Sequence, residues 1–306
     1  MSKVKFDIFI DDTLSNVTSV AQLKAALNTR LLSYVNDFED GEWCYQDFQN
    51  FIWDNIAQTA LSERERVALI DQNFTALLAA AKNLRLTDTD KVGEGSEIAE
   101  IFLYGLMREH FKALPVVPKI FYKQNSQDNA KGADSVHIVV DGDDFTLWFG
   151  EAKFYNSIAD SRLDKVVNSV YEALSTTKLK KENSIITNVN DLDLLPIDVT
   201  LKENIKAALS PHHSIDKIKP RIHVPILLIH ECKITSAATD LTSEYRQAII
   251  DYHRNRAETY FAKQLAKAHT VHKYEDITFH AILVPVPDKN LIVKAFTKQV
   301  KQFKGD

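Results

Sequence analysis

Apolar residues recur at two spacings along this chain, and the switch between them outlines its elements. From Ser96, Ile98, Ile101, Phe102, Gly105 and Leu106 return with helical periodicity and predict a helix starting near Ser96. Val166, Val167, Val170 and Leu174 repeat that pattern in a second helix, which Asn156 or Ser157 can cap. Helices are also expected at Val20–Tyr34, Tyr45–Ala60, Ser62–Leu84, Ser243–Ala268 and Asp288–Phe303, and Ser62-Glu-Arg-Glu reads as a capping box. Short β-rich runs at Val4–Ile10, Val136–Val140, Phe145–Phe149, Val224–Ile229 and Phe279–Val284 read as strands. The run Ile222–Ile229 is apolar nearly throughout, as expected of a strand covered on both faces. Strands alternating with helices predict an α/β fold with a mixed β-sheet flanked by helices. Residues 1–90 form a mostly helical N-terminal region, the polar stretch Thr87–Gly95 marks the boundary, and residues 91–306 form the main domain. The Lys- and Asn-rich stretch Thr176–Asp193 reads as an exposed loop or insertion.

The two runs flanking Asp141-Gly142-Asp143-Asp144 form a hairpin. If Val140 faces Phe145, Asp134 lies opposite Glu151, with Cβ atoms about 5 Å apart. A turn centred on Asp141-Gly142 shifts the register by two and sets Asp134 opposite Phe149 instead. Side chains alternate along a strand, so Glu151 and Lys153 share one face with Val136, Ile138, Phe145, Leu147 and Phe149. Three charged groups then stand at the end of a core-facing surface.

Facing carboxylates destabilise a sheet unless a positive charge compensates. A hard divalent cation such as Mg²⁺ or Mn²⁺ prefers such oxygens, keeps several waters and acidifies one of them. Asp134, Glu151 and the Ala152 carbonyl are the candidate metal ligands, and Lys153 can orient water or offset phosphate charge. Ordinary surface charges on an exposed hairpin end are the commoner source of an isolated Glu-x-Lys. Glu231-Cys232-Lys233 is a second such triplet, but it follows a strand with no hairpin partner and reads as structural. Glu97 and Glu100 share a face of the Ser96 helix with Tyr104, so either can supply a third carboxylate. Solvated charges near a helix N-terminus explain them as well. Arg162 and Lys165, on the helix after the hairpin, are candidate nucleic-acid contacts; solvated cations are the plainer reading.

Helix, Asp-bearing strand, Glu-x-Lys strand, helix is the order of the PD-(D/E)XK nuclease core, which is restriction-endonuclease-like. This chain carries it as Glu97 or Glu100, Gly132-Ala133-Asp134, Gly150-Glu151-Ala152-Lys153-Phe154 and Ser161-Arg162-Leu163-Asp164-Lys165. Ala133 replaces the proline of the superfamily name. Over roughly residues 90–300 the chain also resembles the HamA effectors of the Hachiman anti-phage system, through Ala99-Glu-Ile-Phe-Leu-Tyr104, the Gly-Ala-Asp hairpin and Gly-Glu-Ala-Lys. The resemblance implies a metal-dependent DNA nuclease whose catalytic residues are Asp134, Glu151, Lys153 and Glu97 or Glu100. It also implies a superfamily 2 helicase partner, HamB-like, that restrains the nuclease until infection or DNA damage is sensed.

Composition sets outer limits. With 45% hydrophobic and 26% charged residues, the chain is ordinary for a globular protein. No run reaches about 18 apolar residues, so no membrane span is expected. Asp7 interrupts the first apolar stretch, which argues against a signal peptide. Cys44 and Cys232 fit a reducing cytoplasm. His212, His213, His223 and His230 lack the spacing of a zinc site. No Gly-x-x-x-x-Gly-Lys-Ser/Thr occurs, so ATP-driven chemistry belongs to another polypeptide. A net charge of −5 is unusual for a protein that grips DNA alone. Asp37–Asp54 holds six acids and no base, a candidate partner-facing or DNA-repelling segment, while Lys289, Lys294, Lys298, Lys301 and Lys304 crowd the tail. The rival function is a non-catalytic adaptor or inhibitor subunit of a helicase complex; an RNase of the same fold is a third.

Overall fold

A computed structural model describes residues 6–85, 95–123, 132–188, 191–210 and 212–305. Its centre is a seven-stranded mixed sheet: β1 (Asp7–Thr13), β2 (Thr29–Val35), β3 (Leu114–Val117), β4 (Ser135–Asp141), β5 (Asp144–Tyr155), β6 (Ile222–Glu231) and β7 (Thr278–Val286), in spatial order β1-β2-β7-β6-β5-β4-β3. Strands β5, β6, β7 and β2 run parallel, and antiparallel strands close both edges. This is the mixed α/β architecture that the alternating pattern predicts. Strand β6 lies mid-sheet, and its residues Val224–His230 are all buried, which is why its sequence is apolar without alternation.

The main helices are α1 (Tyr45–Ala60), α2 (Glu63–Ala68), α3 (Asn73–Lys82), α4 (Ser96–Glu109), α5 (Asp160–Ala173), α6 (Thr176–Asn188), α7 (Val199–Ala208), α8 (Ser243–Ala268) and α9 (Lys289–Lys304). Apolar residues of α5, α6, α7 and α8 pack with Val136, Ile138, Phe145, Leu147 and Phe149 on one face of the sheet. Those of α1, α4 and α9 pack with Trp148, Ala152 and Phe154 on the other. Helices α1 and α4 cross closely at Gly105, where a Cβ would lie 2.6 Å from Asn55 Nδ2 and 2.7 Å from Phe51 Cζ.

Three sequence expectations change here. Residues 29–34, expected to end the helix Val20–Tyr34, belong to β2, which pairs in parallel with β7 from Thr29↔Phe279 to Ser33↔Leu283. Their apolar residues suit either period, and the partner strand some 250 residues away decides. The expected helix Ser62–Leu84 is broken between Ala68 and Asn73, although its Ser62–Glu65 capping box forms. Residues 176–188, expected as a loop, form α6, which buries Leu179 and Ile186. The proposed boundary stretch lies almost wholly outside the described residues, as do Val4 and Lys5. Strands β1 and β2 belong to the same sheet as the hairpin.

Candidate active site

The hairpin adopts the first of its two registers, Asp141 pairing with Asp144 and the ladder running to Ser135↔Gly150. Gly142 takes a positive φ of 57° in the turn, a conformation that glycine adopts without strain. Beyond the last pair, the Asp134 N–H donates to the Gly150 carbonyl at 2.7 Å. The Ala152 N–H donates to Asp134 Oδ2 at 3.1 Å, which fastens the aspartate to β5.

Lys153 is the hub. Its Nζ lies 2.6 Å from Glu151 Oε1 and 3.2 Å from Asp134 Oδ2, and donates to the Ala152 carbonyl at 3.2 Å. Ser169 of α5 donates to Glu151 Oε1 at 2.7 Å. Glu151 is 8% exposed. Burial and then the Asp134 charge push its carboxyl above the usual carboxylate range, against the pull of Lys153 and Ser169. Burial works against the Lys153 ammonium, yet Asp134 and Glu151 outweigh it and hold its pKa above the usual value. Lys153 therefore stays charged beside both carboxylates.

That arrangement bears on whether a divalent ion fits. One ammonium already touches both carboxylates and the Ala152 carbonyl, so three hard oxygens lie within reach of a single small cation. The donor set suits Mg²⁺ or Mn²⁺. Among the described residues no three His, Cys, Asp or Glu side chains form an ion-holding group. No ion-holding group among the described residues includes Glu97 or Glu100. Helix α4 packs on the Ala152–Phe154 face of the sheet, whereas Glu151 alternates to the other. Glu97 accepts the Arg85 N–H at 2.9 Å, and Glu100 is buried, 6% exposed.

Arg162 lies over the Tyr155 ring at 5.2 Å, and Lys165 is exposed further along α5. Tyr155 continues the Glu151, Lys153 alternation, and Ser169 sits between Val166 and Val170 on the inward stripe of α5. Sequence reasoning passed over both, although each periodicity points to them. It also missed Glu182, which accepts the Ala133 N–H at 2.9 Å and pairs with Lys119 at 2.9 Å. Gly132, Ala133, Gly150, Glu151, Ser169 and Glu182 help line a cavity of about 270 Å³ beside the carboxylates. The second triplet is structural: Glu231 ends β6 and accepts the Lys289 N–H at 3.3 Å. His223 and His230 lie at opposite ends of β6, with different partners, His280 and His253.

The fold is thus a mixed sheet with flanking helices that brings an Asp, a Glu and a Lys together at the end of two adjacent strands. The HamA family model matches residues 7–300, and the chain belongs to that family, a component of the Hachiman anti-phage defence. No curated protein matches it. No helix among the described residues is long and apolar enough to cross a membrane.

Proposed function

We propose that this chain is the nuclease effector of its defence system, a divalent-metal-dependent deoxyribonuclease that hydrolyses phosphodiester bonds in the cytoplasm under the control of a superfamily 2 helicase partner. The observation that carries this reading is the Lys153 ammonium bridging Asp134 and Glu151 at the end of the hairpin. Asp134, Glu151 and the Ala152 carbonyl would hold Mg²⁺ or Mn²⁺, which supplies Lewis acidity toward a phosphate and an acidified water. Lys153 offsets negative charge gathering on the phosphate and orients the attacking water. Ser169 fixes the Glu151 rotamer. Arg162, which lies over the Tyr155 ring, and the exposed Lys165 would hold the flanking backbone. Water oxygen bonds to phosphorus as the P–O bond to the leaving nucleotide breaks. The helicase assignment follows the family, and the sequence shows no ATP-binding loop of its own.

The test is supercoiled plasmid incubated with the purified chain and Mg²⁺ or Mn²⁺, alone and with its helicase subunit plus ATP. Glu151→Ala serves as control. Nicking or degradation that vanishes in Glu151→Ala is the expected result. Intact plasmid in every combination leaves the non-catalytic adaptor reading.

A further inference from the structure

Cations near the hairpin face are largely engaged within the fold. Between α5 and α8, Arg256 pairs with Asp160 at 2.6 Å, Lys263 with Asp164 at 2.7 Å, and Lys267 reaches Asn168. Helix α9 differs. It holds five lysines and no acidic residue. Lys304 donates to the Leu84 carbonyl, and Lys289 lies over the Phe154 ring at 5.4 Å. Lys294, Lys298 and Lys301 are exposed, and no described carboxylate pairs with them.

These three stand at i, i+4 and i+7, so they share one face, spaced about 6 and 4.5 Å along the axis. That face points away from the buried stripe of Ile292, Val293, Phe296 and Val300. Like charges one turn apart destabilise a helix by a few tenths of a kcal/mol each, and no carboxylate among the described residues pairs with them to offset the repulsion. The stripe also borders the strand that carries Glu151 and Lys153, on the opposite face of the sheet. Val293 and Phe154, the residue after Lys153, both border the space a Cβ on Gly95 would occupy. On a chain with net charge −5, such a local strip is a place where polyanion affinity can concentrate.

We infer that the Lys294–Lys298–Lys301 face of α9 binds a nucleic-acid phosphate backbone and guides it to the hairpin end. Its role as a guide rests on the nuclease reading; its affinity for phosphate does not. The test is binding of a short labelled DNA duplex by the full chain, followed by anisotropy over a salt series with EDTA present. Lys294→Gln/Lys298→Gln/Lys301→Gln is compared with Lys24→Gln/Lys202→Gln/Lys206→Gln, which removes equal charge elsewhere. Loss of three phosphate contacts lowers the steepness of log K against log salt by about 2.7. Between about 50 and 200 mM salt, that is roughly 40-fold less loss of affinity. The expected result is this flattening in the α9 variant alone.

An unchanged slope, or an equal change in both variants, overturns the inference. Unchanged DNA binding with lost capture of the helicase subunit also overturns it and assigns the face to an acidic protein surface. If Glu151→Ala and the parent both leave plasmid intact while the α9 slope still falls, the backbone surface stands and the nuclease reading fails.

Discussion

Lys119 and Glu182 form an ion pair 2.9 Å long, with side chains 0% and 6% exposed. The same Glu182 carboxylate accepts the Ala133 N–H at 2.9 Å, one peptide before Asp134. A Cβ on Gly132 would collide with that carboxylate, so glycine is what lets the chain approach it. The strand bearing the candidate metal ligand is thus held at its entry by a buried charge from α6. Truncating one partner strands the other charge in the interior at a cost of about 3–5 kcal/mol. Glu182→Leu should lose about that much stability in urea unfolding, and adding Lys119→Met should recover much of it. Additive losses would show that the pair contributes no coupling.

Ser169 tests whether the Glu151 carboxylate is held for metal binding. Outer partners of metal ligands typically change affinity or activity about 10–100-fold when removed. Ser169→Ala should weaken Mn²⁺ binding by that order in calorimetry, with little effect on melting, and Ser169→Thr should restore much of it. Equal Mn²⁺ affinity in all three proteins would remove Ser169 from the site.

Gly150 precedes Glu151 where β5 passes closest to α4. A Cβ there would meet Ser135 Oγ and lie 2.6 Å from Leu103 Cδ2. Overpacking of this kind costs about 1–3 kcal/mol. Because the backbone must give way next to Glu151, Gly150→Ala should lower both unfolding stability and Mn²⁺ affinity. Lost stability with full metal affinity would mean that the strain is absorbed by α4.

The hairpin was legible because its signals are local: strand alternation and a short turn together align Asp134 with Glu151. Helices α1 and α4 were legible because their apolar periodicity is long and unbroken. Strand β2 was not, since Thr29–Val35 becomes a strand only by pairing with β7. Nor was the Glu182 clamp, which joins an acid in a polar stretch to a peptide 49 residues away.

Acid should destabilise this fold through its buried histidines. Burial lowers His137 to about 3 and His230 to about 4, from a usual value of 6.5. His253, which contacts His230 Nε2 at 3.1 Å and Ser33 Oγ at 2.7 Å, is also held down by burial. As pH falls below about 6.5 the unfolded chain takes up these protons and the native state does not, so stability falls as pH drops toward 4. Each such histidine contributes at most about 1.4 kcal/mol per pH unit. His137 isolates the effect: its ring packs tilted against Tyr104 with centroids 4.4 Å apart, and neither ring nitrogen has a hydrogen-bond partner among the described residues. His137→Leu should therefore match or exceed the parent's stability at pH 7. Its unfolding free energy should also fall less steeply between about pH 6 and 4, by up to one proton's worth. Parallel pH profiles for the two proteins would mean that His137 takes up its proton in the native state as readily as in the unfolded chain.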